Sequence, residues 1–273
     1  MQLDDILFDY DEWKKKEPSV AQKITSMIAR PAEWLINPII DKIHPILEET
    51  LKKSNAKIAD IIHTTADELE NPLEMKEEDF LKWMETQDES VDRWITGGIA
   101  SISAEGTASG FIGLAGLLTE IPISFGTILF FANKIAFQYY LNITDEQTNL
   151  EVLKAISAGS AASLESKKDC ISGFESTSST LHKDTWKSLT KSTEGLHHSV
   201  FIARSVLETL GINISRRKVS QILPGLGAVA GGVINGVWAS EALNSVKYYS
   251  RYLILKNYLE LNNPSYYNFY INK

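Results

Sequence analysis

Cysteine is almost missing from this chain. Cys170 is the one thiol in 273 residues, so no disulfide can close within it, which fits a reducing, cytoplasmic setting. It sits in a Ser-rich stretch without a local nucleophile signature and reads as a structural thiol. Strand signals are scarce: few runs alternate, and no Asn-Gly turn joins two that do. Catalytic signatures are missing as well. There is no G-x-S-x-G, so a nucleophile elbow is excluded, and SAGSAAS (157–163) reads as a small-residue helix face. There is no H-E-x-x-H and no cysteine pair, so a standard zinc site is not expected. GLGAVAGG (225–232) lacks both the lysine and the strand-turn-helix setting of a nucleotide loop. The opening MQLDDILFDYDEWKKKE is acidic and polar, unlike a secretory signal peptide.

Net positive charge is absent too. The chain carries −8, unevenly spread. Residues 1–90 hold 21 acidic and 11 basic residues, a net −10, whereas residues 91–273 hold 14 and 16, a net +2. The acidic part would repel phosphates, so no nucleic-acid partner is expected. The shift places a boundary near NPLEMKEEDF. We expect an acidic N-terminal helical region at 1–74, a main helical domain at 75–262 and a tail at 263–273.

What is present is helical spacing. The composition, 44% apolar and 23% charged, is that of a globular protein with a real core. Apolar residues recur at helical intervals in DDILFDYDEW, in PAEWLINPIIDKIHPILEETLKK (divided by Pro38 and Pro45) and in AKIADIIHTTADELE. The same holds for EEDFLKWMETQDESVDRWI, HHSVFIARSVLETLG and EALNSVKYYSRYLILKNYLE. Residues 157–193 are rich in Ser and Thr, which weaken a helix. The fold expected is all-α, a multi-helix bundle with glycine-rich, tightly packed central helices.

Two segments stand out by their lack of charge. FIGLAGLLTEIPISFGTILFFA (111–132) holds one charge, Glu120. Ahead of it, Gly106, Gly110, Gly113 and Gly116 are spaced to make a bare stripe on a helix, which suits close packing. Thr119 can cap a new helix, with Glu120 at its positive end and Pro122 in its first turn. The stretch is therefore expected to divide into two helices at 118–122, each too short to span a bilayer. VSQILPGLGAVAGGVINGVWAS (219–240) holds no charge. Pro224 suits a helix start, Gly227, Gly231 and Asn235 follow at intervals of four, and Asn235 can hydrogen-bond across a tight crossing.

Ile222, Pro224, Gly227, Gly231 and Asn235 fit the pattern I-x-P-x-x-G-x-x-x-G-x-x-x-N. In this the chain resembles the EcsC family, bacterial proteins named for association with an ABC transporter operon. LGINISRRKVSQ is similar to the family's helix and basic linker. Glu120-Ile121-Pro122 resembles its acidic-apolar-Pro step, and ANKIAFQYYLNITDEQTNLEVL its next helix and acidic turn. Leu141 stands where the family often has Gly, and Gly225 replaces a branched apolar residue. The resemblance runs over about residues 75–260 and implies an all-helical domain, with no established catalytic residues to carry over.

Arg216, Arg217 and Lys218 precede the second segment, and Trp238, Lys247, Tyr248, Tyr249, Arg251 and Tyr252 follow it. Basic and aromatic residues beside apolar helices suit a lipid interface. These observations predict a non-enzymatic interaction protein at or near the cytoplasmic membrane surface. Its partner would be the membrane or a membrane protein, such as a transporter or secretion system, with no cofactor. Two other readings compete. One is a helical hydrolase or metalloprotein: Asp60-x-x-His63 and Glu194-x-x-His197 have the spacing of di-metal bundles, with Glu105 and Glu120 as further ligands, but a chain this acidic supplies such pairs by chance. The other is an integral or pore-forming protein.

Overall fold

The computed structural model describes residues 1–20, 22–23, 45–47, 49–51, 57–64, 69–109, 113–175 and 227–271. Among them there is no strand. The helices are α1 (Leu3–Lys15), α2 (Glu77–Ser109), α3 (Gly113–Gln138), α4 (Glu146–Ser160), α5 (Leu164–Glu175), α6 (Gly227–Asn262) and α7 (Pro264–Tyr270). Residues 57–64 are helical as well, and Ile58 and Ile62 are buried.

Local chemistry sets the helix ends. The Asn71 side chain accepts the Leu73 N–H and caps a 3-10 turn at Pro72–Glu74, which leads into α2. Glu77, Glu78 and Asp79 then favour its positive end. Asp145 caps α4 by accepting the Thr148 N–H at 3.0 Å. α3 ends at Tyr140, whose φ of 61° lies in the left-handed region. The Leu141 N–H reaches back to the Ala136 carbonyl at 3.1 Å and Leu141 is buried, so the end is a Schellman turn with Tyr where Gly is usual.

The buried stripe of α2 is legible in its spacing: Phe80, Met84, Gln87, Val91, Ile95, Gly98 and Ile102, at steps of three and four. α6 lies at the centre. Small and apolar residues surround it, so it offers packing surface on every side. α2 runs antiparallel to it: Ser103 lies by Gly236, Asp92 by Lys247, Asp88 by Arg251 and Met75 by Tyr258. α4 is also antiparallel, with Ser160 at Trp238 and Glu151 at Tyr249. α3 returns along α2, with Thr127 at Glu105 and Tyr139 at Asp88. α1 crosses α6 through Trp13, whose indole N–H donates to Ser245 Oγ at 3.1 Å, and through Tyr10, stacked on Tyr252 at 4.0 Å. Leu3, Ile6, Tyr10 and Trp13 thus share one hydrophobic core with the helices beyond residue 75.

The first charge-poor segment differs from expectation in two ways. Gly106, Gly110, Gly113 and Gly116 do not line one helix. α2 closes at Ser109 and α3 opens at Gly113, so Gly106 falls in one terminal turn, Gly113 and Gly116 in another, and Gly110 lies outside the described residues. Nor does the chain break at 118–122: α3 runs on through Pro122. Proline removes one backbone donor but does not end this helix. No helix among the described residues is long and apolar enough to cross a membrane. Trp34, Pro38, residues 176–226 with the basic triplet, and Pro224 lie outside the described residues.

Candidate functional site

The C-terminal residues expected at a surface sit mostly within the bundle. Trp238 and Arg251 are each 5% exposed. The Trp238 indole N–H donates to Ser160 Oγ at 2.8 Å. Arg251 Nη1 donates to Asp9 Oδ2 at 2.9 Å, and its Nε lies 3.2 Å from Asp88 Oδ1, an ion pair by distance without an aligned hydrogen bond. The Tyr139 hydroxyl donates to the same Asp88 oxygen at 2.5 Å. Burial pushes the Asp88 carboxyl up from the usual range, against the pull of Arg251. Lys247 reaches Asp92 at 2.6 Å, and Tyr248 stacks on Trp13. Four helices, α1, α2, α3 and α6, are thus pinned through Arg251. A buried guanidinium needs such partners, because its desolvation must be offset by paired charge and hydrogen bonds.

A second polar group lies along α4, buried from Asn149 to Ser160. Lys154 Nζ donates to Glu151 Oε1 at 2.9 Å, and the Tyr249 hydroxyl donates to Glu151 Oε2 at 2.6 Å. Burial lowers the Lys154 ammonium and raises the Tyr249 phenol well above its ordinary value. Ser157 Oγ meets Cys170 Sγ at 3.4 Å, and burial pushes that thiol up, away from the thiolate a nucleophile needs. Lys167 on α5 donates to the Trp13 and Lys16 carbonyls, capping the end of α1, and lies 4.5 Å over the Trp13 ring. Burial pushes its amine down to about 8. In both groups polar atoms of one helix bond those of another, with the Lys154–Glu151 pair held within α4.

His63 lies edge-on to Phe137, 5.1 Å between rings. No group of three His, Cys, Asp or Glu converges among the described residues. Glu105 accepts from Thr127 Oγ1 at 2.8 Å. Glu194, His197 and His198 lie outside the described residues.

The feature that topology creates is one charge-poor end. Ser103 lies by Gly236 and Glu105 by Thr127, so the last turns of α2 meet the middle of α3 and the N-terminal third of α6. Segments more than a hundred residues apart in sequence meet there. Ile123 on α3 and Val233 on α6 are 59% and 62% exposed, and Asn235, two residues from Val233, is fully buried. The other end is acidic: residues 69–92 hold nine acidic and two basic residues.

Fold and site together define an all-helical bundle, closed inside by two polar networks and poor in charge at one end. The chain belongs to the EcsC protein family, whose model matches residues 6–253 of the 273. The match takes in α1 and so begins well before residue 75, where the resemblance read from motifs began. No curated protein and no solved structure matches the chain.

Neither polar network was visible in the sequence. Asp9 and Arg251 are 242 positions apart, and neither stands in a motif. The signal available was Arg251 in the midst of an aromatic-rich, apolar helix.

Proposed function

We propose that this protein is a non-enzymatic helical interaction module that seats the charge-poor end of its bundle against a membrane surface. The observation that carries this reading is the approach of α3 and α6 to the last turns of α2, at Thr127 and Gly236, with Ile123 and Val233 exposed on those two helices. A patch of this kind contacts an apolar phase or partner more cheaply than it stays in water. No described helix is both long and apolar enough to cross a membrane, so shallow contact suits it better than insertion. Arg216, Arg217 and Lys218 immediately precede the second segment in sequence and would meet anionic head groups. A membrane protein such as a transporter, embedded in the same surface, is the partner class this seat favours.

The test is fractionation of the native protein, with a high-salt wash and then an alkaline carbonate wash of the membrane pellet. Release by either wash supports peripheral seating. Full recovery in the soluble fraction, or retention through both washes, overturns it. Ile123→Asp with Val233→Asp should shift the protein from the pellet to the supernatant. Both side chains are exposed, so the variant should retain its helix content by circular dichroism.

A further inference from the structure

The opposite end carries an exposed feature that membrane seating does not use. On α1, Phe8 is 65% exposed. Asp4, Asp5, Asp11 and Glu12 stand three and four residues to either side of it, so they surround its ring on the helix surface, and all four are exposed. Lys14 and Lys15 pair with Asp11 and Glu12 at 3.0 and 3.6 Å and offset part of that charge, but α1 still holds five acidic residues against two basic. The Tyr266 hydroxyl donates to the Asp4 carboxylate and ties α7 to this face. Phe269 and Tyr270 on α7 are 57% and 52% exposed, and Leu261 just before it is 64% exposed. Tyr266 and Tyr267 take the inner side of α7, packed on the core. Glu77 lies near Tyr266, and Glu260 near Tyr267.

Phe8 and the Phe269–Tyr270 pair, each more than half exposed beside carboxylates, suit one kind of occupant. A lysine or arginine side chain gains from a ring face and from a carboxylate together. An apolar residue on the same segment would cover Phe8, Phe269 or Leu261. An acidic segment or an anionic lipid would be repelled. We infer that the α1–α7 face is a docking surface for a Lys/Arg-rich amphipathic peptide segment of a protein partner. Along α6, Arg251, which meets Asp9 beside Phe8, stands 18 residues from Val233, and Leu261 stands 28 residues from it, about 27 and 42 Å at 1.5 Å per residue. Both ends can therefore be occupied at once.

The experiment titrates the full chain against a fluorescent, short amphipathic Lys/Leu helical peptide and follows anisotropy. A Glu/Leu peptide of the same length is the control. The Lys/Leu peptide should bind, and the Glu/Leu peptide should bind at least about tenfold more weakly. Phe8→Ala with Phe269→Ala and Tyr270→Ala should weaken Lys/Leu binding by about tenfold at unchanged net charge. Asp11→Lys with Glu12→Lys, also at exposed positions, should weaken it as well. Equal binding to the native chain and the aromatic variant would mean diffuse charge attraction and overturn the site. No binding by the native chain, or equal binding of the two peptides, would overturn it too. Ile123→Asp with Val233→Asp should leave the titration unchanged, which separates this surface from the membrane-facing end.

Discussion

α4 crosses the α6 backbone closely at Gly159, and a single methyl group there tests the packing. A Cβ on Gly159 would lie 2.5 Å from the Glu241 carbonyl oxygen, 2.5 Å from Ser245 Oγ and 2.7 Å from Ala242 Cα. Ordinary carbon contacts are about 3.5–4.0 Å. Ser245 Oγ could rotate, but Glu241 O and Ala242 Cα belong to the α6 backbone, so α4 and α6 must separate. Overpacking of this kind costs about 1–3 kcal/mol, and immovable backbone argues for the upper part of that range. Alanine regains about 1 kcal/mol of helix propensity over glycine. Gly159→Ala should therefore lose about 2 kcal/mol. Gly97 is the control: its nearest contact would be Phe131 at 3.6 Å, ordinary van der Waals distance. Gly97→Ala keeps the propensity gain and should stabilise by about 0.5–1 kcal/mol. Thermal unfolding followed by far-UV circular dichroism reads both. For a chain of this size Tm should fall by about 4–8 °C in Gly159→Ala and rise by about 2 °C in Gly97→Ala. If the two variants shift Tm by the same amount, or if Gly159→Ala matches the native chain, α4 and α6 do not meet at that glycine.

Three further outcomes follow from the polar groups and the end of α3. Lys167 has its amine lowered to about 8. Between that pH and the ordinary lysine range near 10.5, the unfolded chain therefore binds a proton that the folded chain does not, and stability rises with pH. Urea unfolding at several pH values should show this increment in the native chain and not in Lys167→Met. Arg251→Ala leaves Asp88 buried without its cation and should cost about 3–5 kcal/mol near pH 8. The Asp88 carboxyl, already raised by burial, then rises further, and a raised carboxyl loses stability as pH climbs through it. The penalty of Arg251→Ala should accordingly be smaller at pH 5 than at pH 8, and an equal penalty would remove Asp88 from the account. Tyr140→Gly relieves a left-handed residue that is 37% exposed. It should stabilise the fold by about 0.5–1 kcal/mol in the same unfolding assay, because glycine adopts that conformation without strain.

The spacing of Phe80, Met84, Val91, Ile95 and Ile102 determines both that α2 is a helix and which face it buries, since period and burial are one property of a chain at 3.6 residues per turn. Asn71-Pro72 and Asp145 mark helix starts through chemistry carried by neighbours in sequence. The two charge-poor segments were equally plain. The sequence alone could not determine that the first of them is shared between α2 and an antiparallel α3 and that α3 runs on through Pro122, because packing overrides the local preference of proline and glycine. Trp238 and Arg251 read as surface residues from their types. They lie inside because Ser160, Asp9 and Asp88 arrive from distant parts of the chain to meet them. Composition and period were fixed residue by residue. The meeting of the last turns of α2 with α3 and α6, and of α1 with α7 at the other end, was decided only by the antiparallel packing around α6. That packing depends on contacts between residues far apart in sequence, which no local pattern encodes.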